Sequence, residues 1–139
     1  MENADGKLLP EANLIDIHGG KFDDKLLRQG RCILVFVTPD CNACLTESEF
    51  LKTIIDKQKK LPFYGIVSFG GRQATLDAAK RKFPFDVFYD EGFKLAGALG
   101  IRRVPIKIFV EDGVIIKTWG GATTRKEKQE DFINWLKEL

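Results

Sequence analysis

Cys41 and Cys44 stand two residues apart in "VFVTPDCNACLTESE", between an apolar run and an amphipathic one. The spacing admits four chemistries: a reversible dithiol–disulfide couple, half of a metal site, a structural bridge, or two incidental thiols. The inventory weighs against two of them. Only three cysteines occur, Cys32, Cys41 and Cys44, and an odd count at this length argues against a disulfide framework. A zinc site takes four ligands, and His18 is the only histidine. Context favours redox chemistry over coincidence. Cys41 falls where a predicted buried strand ends and a helix begins, and the free amides and partial positive charge of a helix start favour a nucleophilic thiolate. Cys44 follows within the first turn, close enough to attack a mixed disulfide formed at Cys41. Cys41 would attack and Cys44 resolve. Cys32, inside the apolar run, reads as a small core side chain, with a second resolving thiol as the alternative.

These side chains need elements to hold them. Arg31 to Val37, "RCILVFV", is a continuous apolar run of strand length, of the kind buried on both faces of a parallel sheet. From Ala43 to about Lys60, Phe50, Leu51, Ile54 and Ile55 recur at helical spacing. Asn13 to Ile17 reads as a short strand, turning through His18-Gly19-Gly20-Lys21 into another at Phe22. Phe63 to Ser68 is a second buried strand, Thr75 to Phe83 a helix, and Val87 to Tyr89 a brief strand. Glu91 to Leu99 reads as one short helix closed by Gly100. Ile106 to Val110 and Val114 to Trp119 flank Glu111-Asp112-Gly113, a hairpin signal. A last helix spans Thr124 to Leu139, with Phe132, Ile133, Leu136 and Leu139 inward. The order β-β-β-α-β-α-β-α-β-β-α predicts an α/β sheet with helices on both faces.

Composition sets the remaining bounds. The 139 residues suit one domain over 1–139, large enough for a core without metal or disulfide staples. Lys and Arg number 22 against 20 Asp and Glu, a net charge of +2, with no basic run interleaved with aromatics, so a nucleic-acid partner is unsupported. No stretch approaches the roughly 18 apolar residues a membrane span needs. The segment "MENADGKLLPEANL" carries no charged-then-apolar leader.

Beyond the cysteine pair, "LLPEANLIDIHGGKF", "FYGIVSF", "FPFDVFYDEGFKLAGALGIRRVPIKIFVEDGVI" and the Pro105 of "RVPIKIFV" give the chain a resemblance, from about Lys7 to Leu136, to the thioredoxin superfamily. Within it the chain is similar to the TlpA/ResA-like redoxins, bacterial thiol–disulfide oxidoreductases. The resemblance implies a thioredoxin fold: a central mixed sheet flanked by helices, with an N-terminal β-hairpin and a central αβ insertion. It implies a cis Pro105 beside the cysteines, leaving the Val104 backbone free to pair with an extended substrate segment; a trans proline opening an edge strand is the alternative. It also implies that Glu47, at the third position after Cys44 and on the same helical face, handles the proton of the second thiol. A solvated glutamate favoured by the helix dipole is the alternative. The expected partners are a cysteine-containing protein substrate and an upstream electron donor or acceptor thiol protein, with no cofactor and no metal. A monomeric bacterial protein acting outside the cytoplasm is implied, with a cytoplasmic one as the alternative.

Departures from the family pattern matter. Asp40 replaces the tryptophan that commonly precedes the first cysteine, and its charge opposes a thiolate at Cys41. Val35 occupies the position of thioredoxin's buried aspartate. The dipeptide Asn42-Ala43 carries no cation, which predicts a reducing rather than a strongly oxidising couple. "TPDC" also places Thr38 as in the Thr-x-x-Cys of peroxiredoxins, where the hydroxyl would bind a peroxide oxygen, although Leu34 stands where their proline is expected. Copper delivery is the third reading, with cysteine spacing and histidine placement both departing from copper carriers. His18, Trp119 and Trp135 read as packing, and Arg102-Arg103 as a solvated pair.

Overall fold

The β-branched and aromatic runs fold into seven strands of one sheet, which a computed structural model describes over residues 4–139. In chain order the strands are β1 (Leu14–Ile15), β2 (Lys21–Phe22), β3 (Arg31–Phe36), β4 (Phe63–Val67), β5 (Asp86–Asp90), β6 (Ile106–Glu111) and β7 (Val114–Gly120). They lie in the order β2-β1-β5-β4-β3-β6-β7. Strands β3, β4 and β5 run parallel, while β6 and β7 run antiparallel beside β3. The first two strands form an antiparallel hairpin on the far edge. The sheet is therefore mixed.

The apolar run of β3 explains its central place. Ile33, Val35 and Val37 enter one core, while Cys32, Leu34 and Phe36 enter the other. Helices α1 (Asn42–Ile55), α2 (Arg72–Lys82) and α4 (Lys126–Lys137) cover the first face. Helix α3 (Lys94–Leu99) and a 3-10 turn at Asp24–Arg28 cover the second through Leu95, Ala96 and Leu27. Cys32 is buried in that second core, and its thiol reaches the Leu27 carbonyl at 3.8 Å.

Three expectations are corrected. Helix α1 ends at Ile55 rather than near Lys60, because the Gln58 side chain makes a local turn: it accepts from the Lys60 and Leu61 N–H groups and donates to the Leu61 carbonyl. The Glu91–Leu99 helix is broken, since Gly92 and Phe93 both take left-handed backbone (φ 70 and 59), and α3 proper starts at Lys94. His18 is exposed in its turn, where its N–H donates to Asp16 Oδ1. The hairpin after β6 turns at Asp112 (φ 48) and Gly113 (φ 81), consecutive positive values that an Asp-Gly pair tolerates.

Candidate active site

The parallel strands β3 and β4 and the start of β6 open towards the same edge of the sheet, and the cysteines sit there. Cys41 caps α1 with extended backbone (φ −106, ψ 115), and its Sγ accepts the Cys44 N–H at 3.1 Å. The sulfur stands in for the side-chain oxygen of a usual cap, so a helix-end amide points at it. Both cysteines are free thiols. Cys41 is half-buried, whereas Cys44 is fully buried one turn inward. Burial, then the Cys41 hydrogen bond, pushes the Cys44 thiol up to about 12, with the charges of Cys41 and Glu47 adding to the effect.

The loop entering β6 meets the cysteines from across the sheet edge. Its Val104–Pro105 peptide is cis, and the Cys41 thiol reaches the Val104 carbonyl at 3.8 Å. Val104 is half-buried and Pro105 buried; Arg102 and Arg103 just before them are exposed. Thr38 approaches through its backbone: its carbonyl accepts the Cys41 N–H at 3.3 Å, and its main chain also bonds to the Cys44 thiol.

Glu47 is not a solvated helix-start residue. It is fully buried, and its carboxylate pairs with the equally buried Lys107 of β6 at 3.0 Å. Thr123, in the loop before α4, closes the cluster. Its N–H donates to Glu47 Oε2 at 2.8 Å, and its hydroxyl lies 2.9 and 3.0 Å from the two carboxylate oxygens. The Lys107 ammonium also donates to Thr123 Oγ1 at 2.8 Å and faces the Phe132 ring, 5.0 Å from its centroid. Burial holds the Lys107 ammonium below its ordinary value, against the opposing pull of Glu47.

Sequence reasoning missed Lys107, Thr123 and Asp90. A signal for Lys107 was present in "RVPIKIFV": strand alternation puts Pro105, Lys107 and Phe109 on one face, and Phe109 belongs to the core that holds Cys44. Lys107 also pairs across the ladder with Val35, which stands at the position of thioredoxin's buried aspartate. Asp90, fully buried at the end of β5, accepts the N–H groups of Leu95 and Ala96 and the Ser68 hydroxyl, fixing the start of α3. A cation also reaches the loop before Cys41 from α2, where the Lys82 ammonium donates to the Pro39 carbonyl at 3.1 Å.

No protein-family model and no curated protein sequence matches the chain. Solved structures do. A secreted Mycobacterium tuberculosis disulfide oxidoreductase homologous to Escherichia coli DsbE superposes with a TM-score of 0.73 at 19% identity, over 91% of this chain and 95% of its own. StoA from Bacillus subtilis gives 0.69 at 21% identity, over 89% and 94%. A putative thiol:disulfide interchange protein DsbE from Chlorobium tepidum gives 0.76 at 16%, over 95% and 94%. The chain has the thioredoxin fold. Within that fold, α2 and β5 form the central αβ segment after β4, and β1–β2 the added N-terminal hairpin. Among the described residues, no helix is long and apolar enough to cross a membrane. Nor do three His, Cys, Asp or Glu side chains gather there as a metal site.

Proposed function

We propose that the protein is a thiol–disulfide oxidoreductase that exchanges a Cys41–Cys44 dithiol/disulfide couple with cysteine-containing protein substrates, working as a reductant. The observation that carries the reading is the pairing of a reachable sulfur at a helix tip with a buried thiol one turn inward, linked by the Cys44 N–H to Cys41 Sγ bond of 3.1 Å. Cys41 as thiolate attacks one sulfur of a substrate disulfide. That S–S bond breaks, its electron pair leaves on the second substrate sulfur, which takes a proton, and a mixed disulfide remains on Cys41. Cys44 then gives its proton to Glu47 and attacks Cys41 Sγ. The new Cys41–Cys44 bond expels the first substrate sulfur, which is protonated in turn. Two electrons have passed from the enzyme to the substrate, and an upstream thiol protein returns them.

An extended substrate segment would pair along the Val104 backbone, with Pro105 and Thr38 bordering the attacked sulfur. A reducing direction is supported by Asn42-Ala43, which carries no cation, and by Cys44, whose raised thiol lends the reduced form no stabilised thiolate. A location outside a bacterial cytoplasm accords with the secreted mycobacterial protein of the same fold. Equilibration in thiol redox buffers, with mass mapping of the oxidised protein, tests the reading. A Cys41–Cys44 disulfide is expected, with a potential at or below about −200 mV. A value near the roughly −120 mV of a strong oxidant would overturn the reductant role, and the absence of that disulfide would overturn the couple itself.

A further inference from the structure

Lys107 has a buried charge that fold stability alone does not explain, since an apolar pair in the same volume is often as stable as a buried salt bridge. We propose that Lys107 is a positioning residue for the resolving step: its ammonium keeps Glu47 a carboxylate inside the core, then balances the Cys44 thiolate once Glu47 holds the proton. This rests on the oxidoreductase reading above and adds the charge balance that makes its second half feasible.

Cys44 and Glu47 lie three residues apart on one helical face, and both are fully buried. Before transfer the cluster holds a neutral thiol, a carboxylate and an ammonium. After transfer it holds a thiolate, a neutral acid and the same ammonium. The transfer conserves charge with or without Lys107; the ammonium makes the conserved net zero instead of one uncompensated negative charge, the state that a low-dielectric interior penalises most. Without the ammonium, a carboxylate at this depth takes up a proton from solvent and ceases to be an acceptor.

The site is built for this balance. Two of the Lys107 N–H groups go to Glu47 and Thr123, and the ammonium lies over the Phe132 ring. Cys41 caps α1, which supplies Cys44 and Glu47; β6 supplies Lys107, flanked in the sheet by the uncharged Val35 of β3 and Trp119 of β7; the loop before α4 supplies Thr123; and α4 supplies Phe132. Asp40 and Lys82 are exposed, on the solvent side of the cysteines. Thr123, which hydrogen-bonds the Glu47 carboxylate, also lines an open cleft of about 330 Å³ with Lys117, Lys128 and Asp131.

The test follows the two thiolate releases when the reduced protein meets excess of a dithiobis-nitrobenzoate disulfide. The first reports attack by Cys41 and the second resolution by Cys44, each measured against pH by stopped flow. Lys107→Met is expected to slow the second phase at pH 7 at least about tenfold and to move its midpoint up by about one pH unit. Glu47→Gln, which leaves the ammonium unbalanced beside Cys44, is expected to move that midpoint down. A merely structural role loosens the site in both variants and moves both midpoints the same way, towards an ordinary thiol. Such a result would overturn the proposal. Should Lys107→Met not fold, Glu47→Gln is compared with Glu47→Gln/Lys107→Met, which differ only in the ammonium. The double variant must then lie at least about one unit higher, and coincidence overturns the role of Lys107. A wild type with no second phase instead overturns the oxidoreductase reading, so the two failures are distinct.

Discussion

Replacing Lys107 by Met should cost stability by an amount that follows from the burial of its partner. Glu47 has no exposed surface, and its charge is balanced by one ammonium at 3.0 Å. Once that ammonium is gone, the core holds a carboxylate with no partner charge, and breaking a buried pair from one side costs about 3 to 5 kcal/mol. Wild type, whose carboxylate is balanced, is the reference. Glu47→Gln/Lys107→Met removes both charges and keeps an amide oxygen for the Thr123 N–H, so it should recover most of that loss. Urea unfolding at pH 7 and constant ionic strength, read from Trp119 and Trp135 fluorescence, measures all three. A loss under about 1 kcal/mol for Lys107→Met, or a double variant no more stable than Lys107→Met, would refute a balanced buried pair.

Three further outcomes are expected. Burial pushes the Cys32 and Cys44 thiols from 9.0 up to about 12, so in that range the folded chain keeps protons the unfolded chain has lost. Stability should thus fall with rising pH by about 1.4 kcal/mol per unit for each thiol, and urea curves from pH 9 upward should show a shallower decline in Cys32→Ala; equal slopes would count against a buried Cys32. Asp90→Ala strips the acceptor from the buried Leu95 and Ala96 N–H groups and from Ser68, and should cost about 3 kcal/mol, roughly 10 °C in Tm; a loss below about 1 kcal/mol would show these donors finding other partners. Gly65→Ala would put a Cβ 2.5 Å from the Phe85 ring and 2.9 Å from Val87 Cγ1, so a loss of about 2 kcal/mol is expected in denaturant titration, and a neutral result would mean that β5 yields easily.

The strands and the cysteine pair were legible because each rests on local chemistry. "RCILVFV" alternates between two cores without a polar interruption, so its apolar run could only be a strand covered on both faces, and the turn after it had to expose Cys41 at a helix start. What stayed hidden was set by pairings distant in the chain. A glutamate near a helix start is ordinarily a solvated dipole partner, and although helical spacing sets Glu47 on the face of Cys44 and Leu51, nothing within α1 supplies the cation that lets it be buried there. Its burial comes from β6 and the loop before α4, sixty and seventy-six residues further on, which cover it with Lys107 and Thr123. The break at Gly92–Phe93 was hidden for a related reason: Asp90 draws the Leu95 and Ala96 amides onto its carboxylate, which helical periodicity cannot foresee. One sequence rule would have reached further. A lone lysine on the inward register of a central strand has no solvent to meet, so it must find an anion in the core. On this chain the carboxylate facing the same core is Glu47, one helical turn beyond the thiol whose proton it is proposed to take.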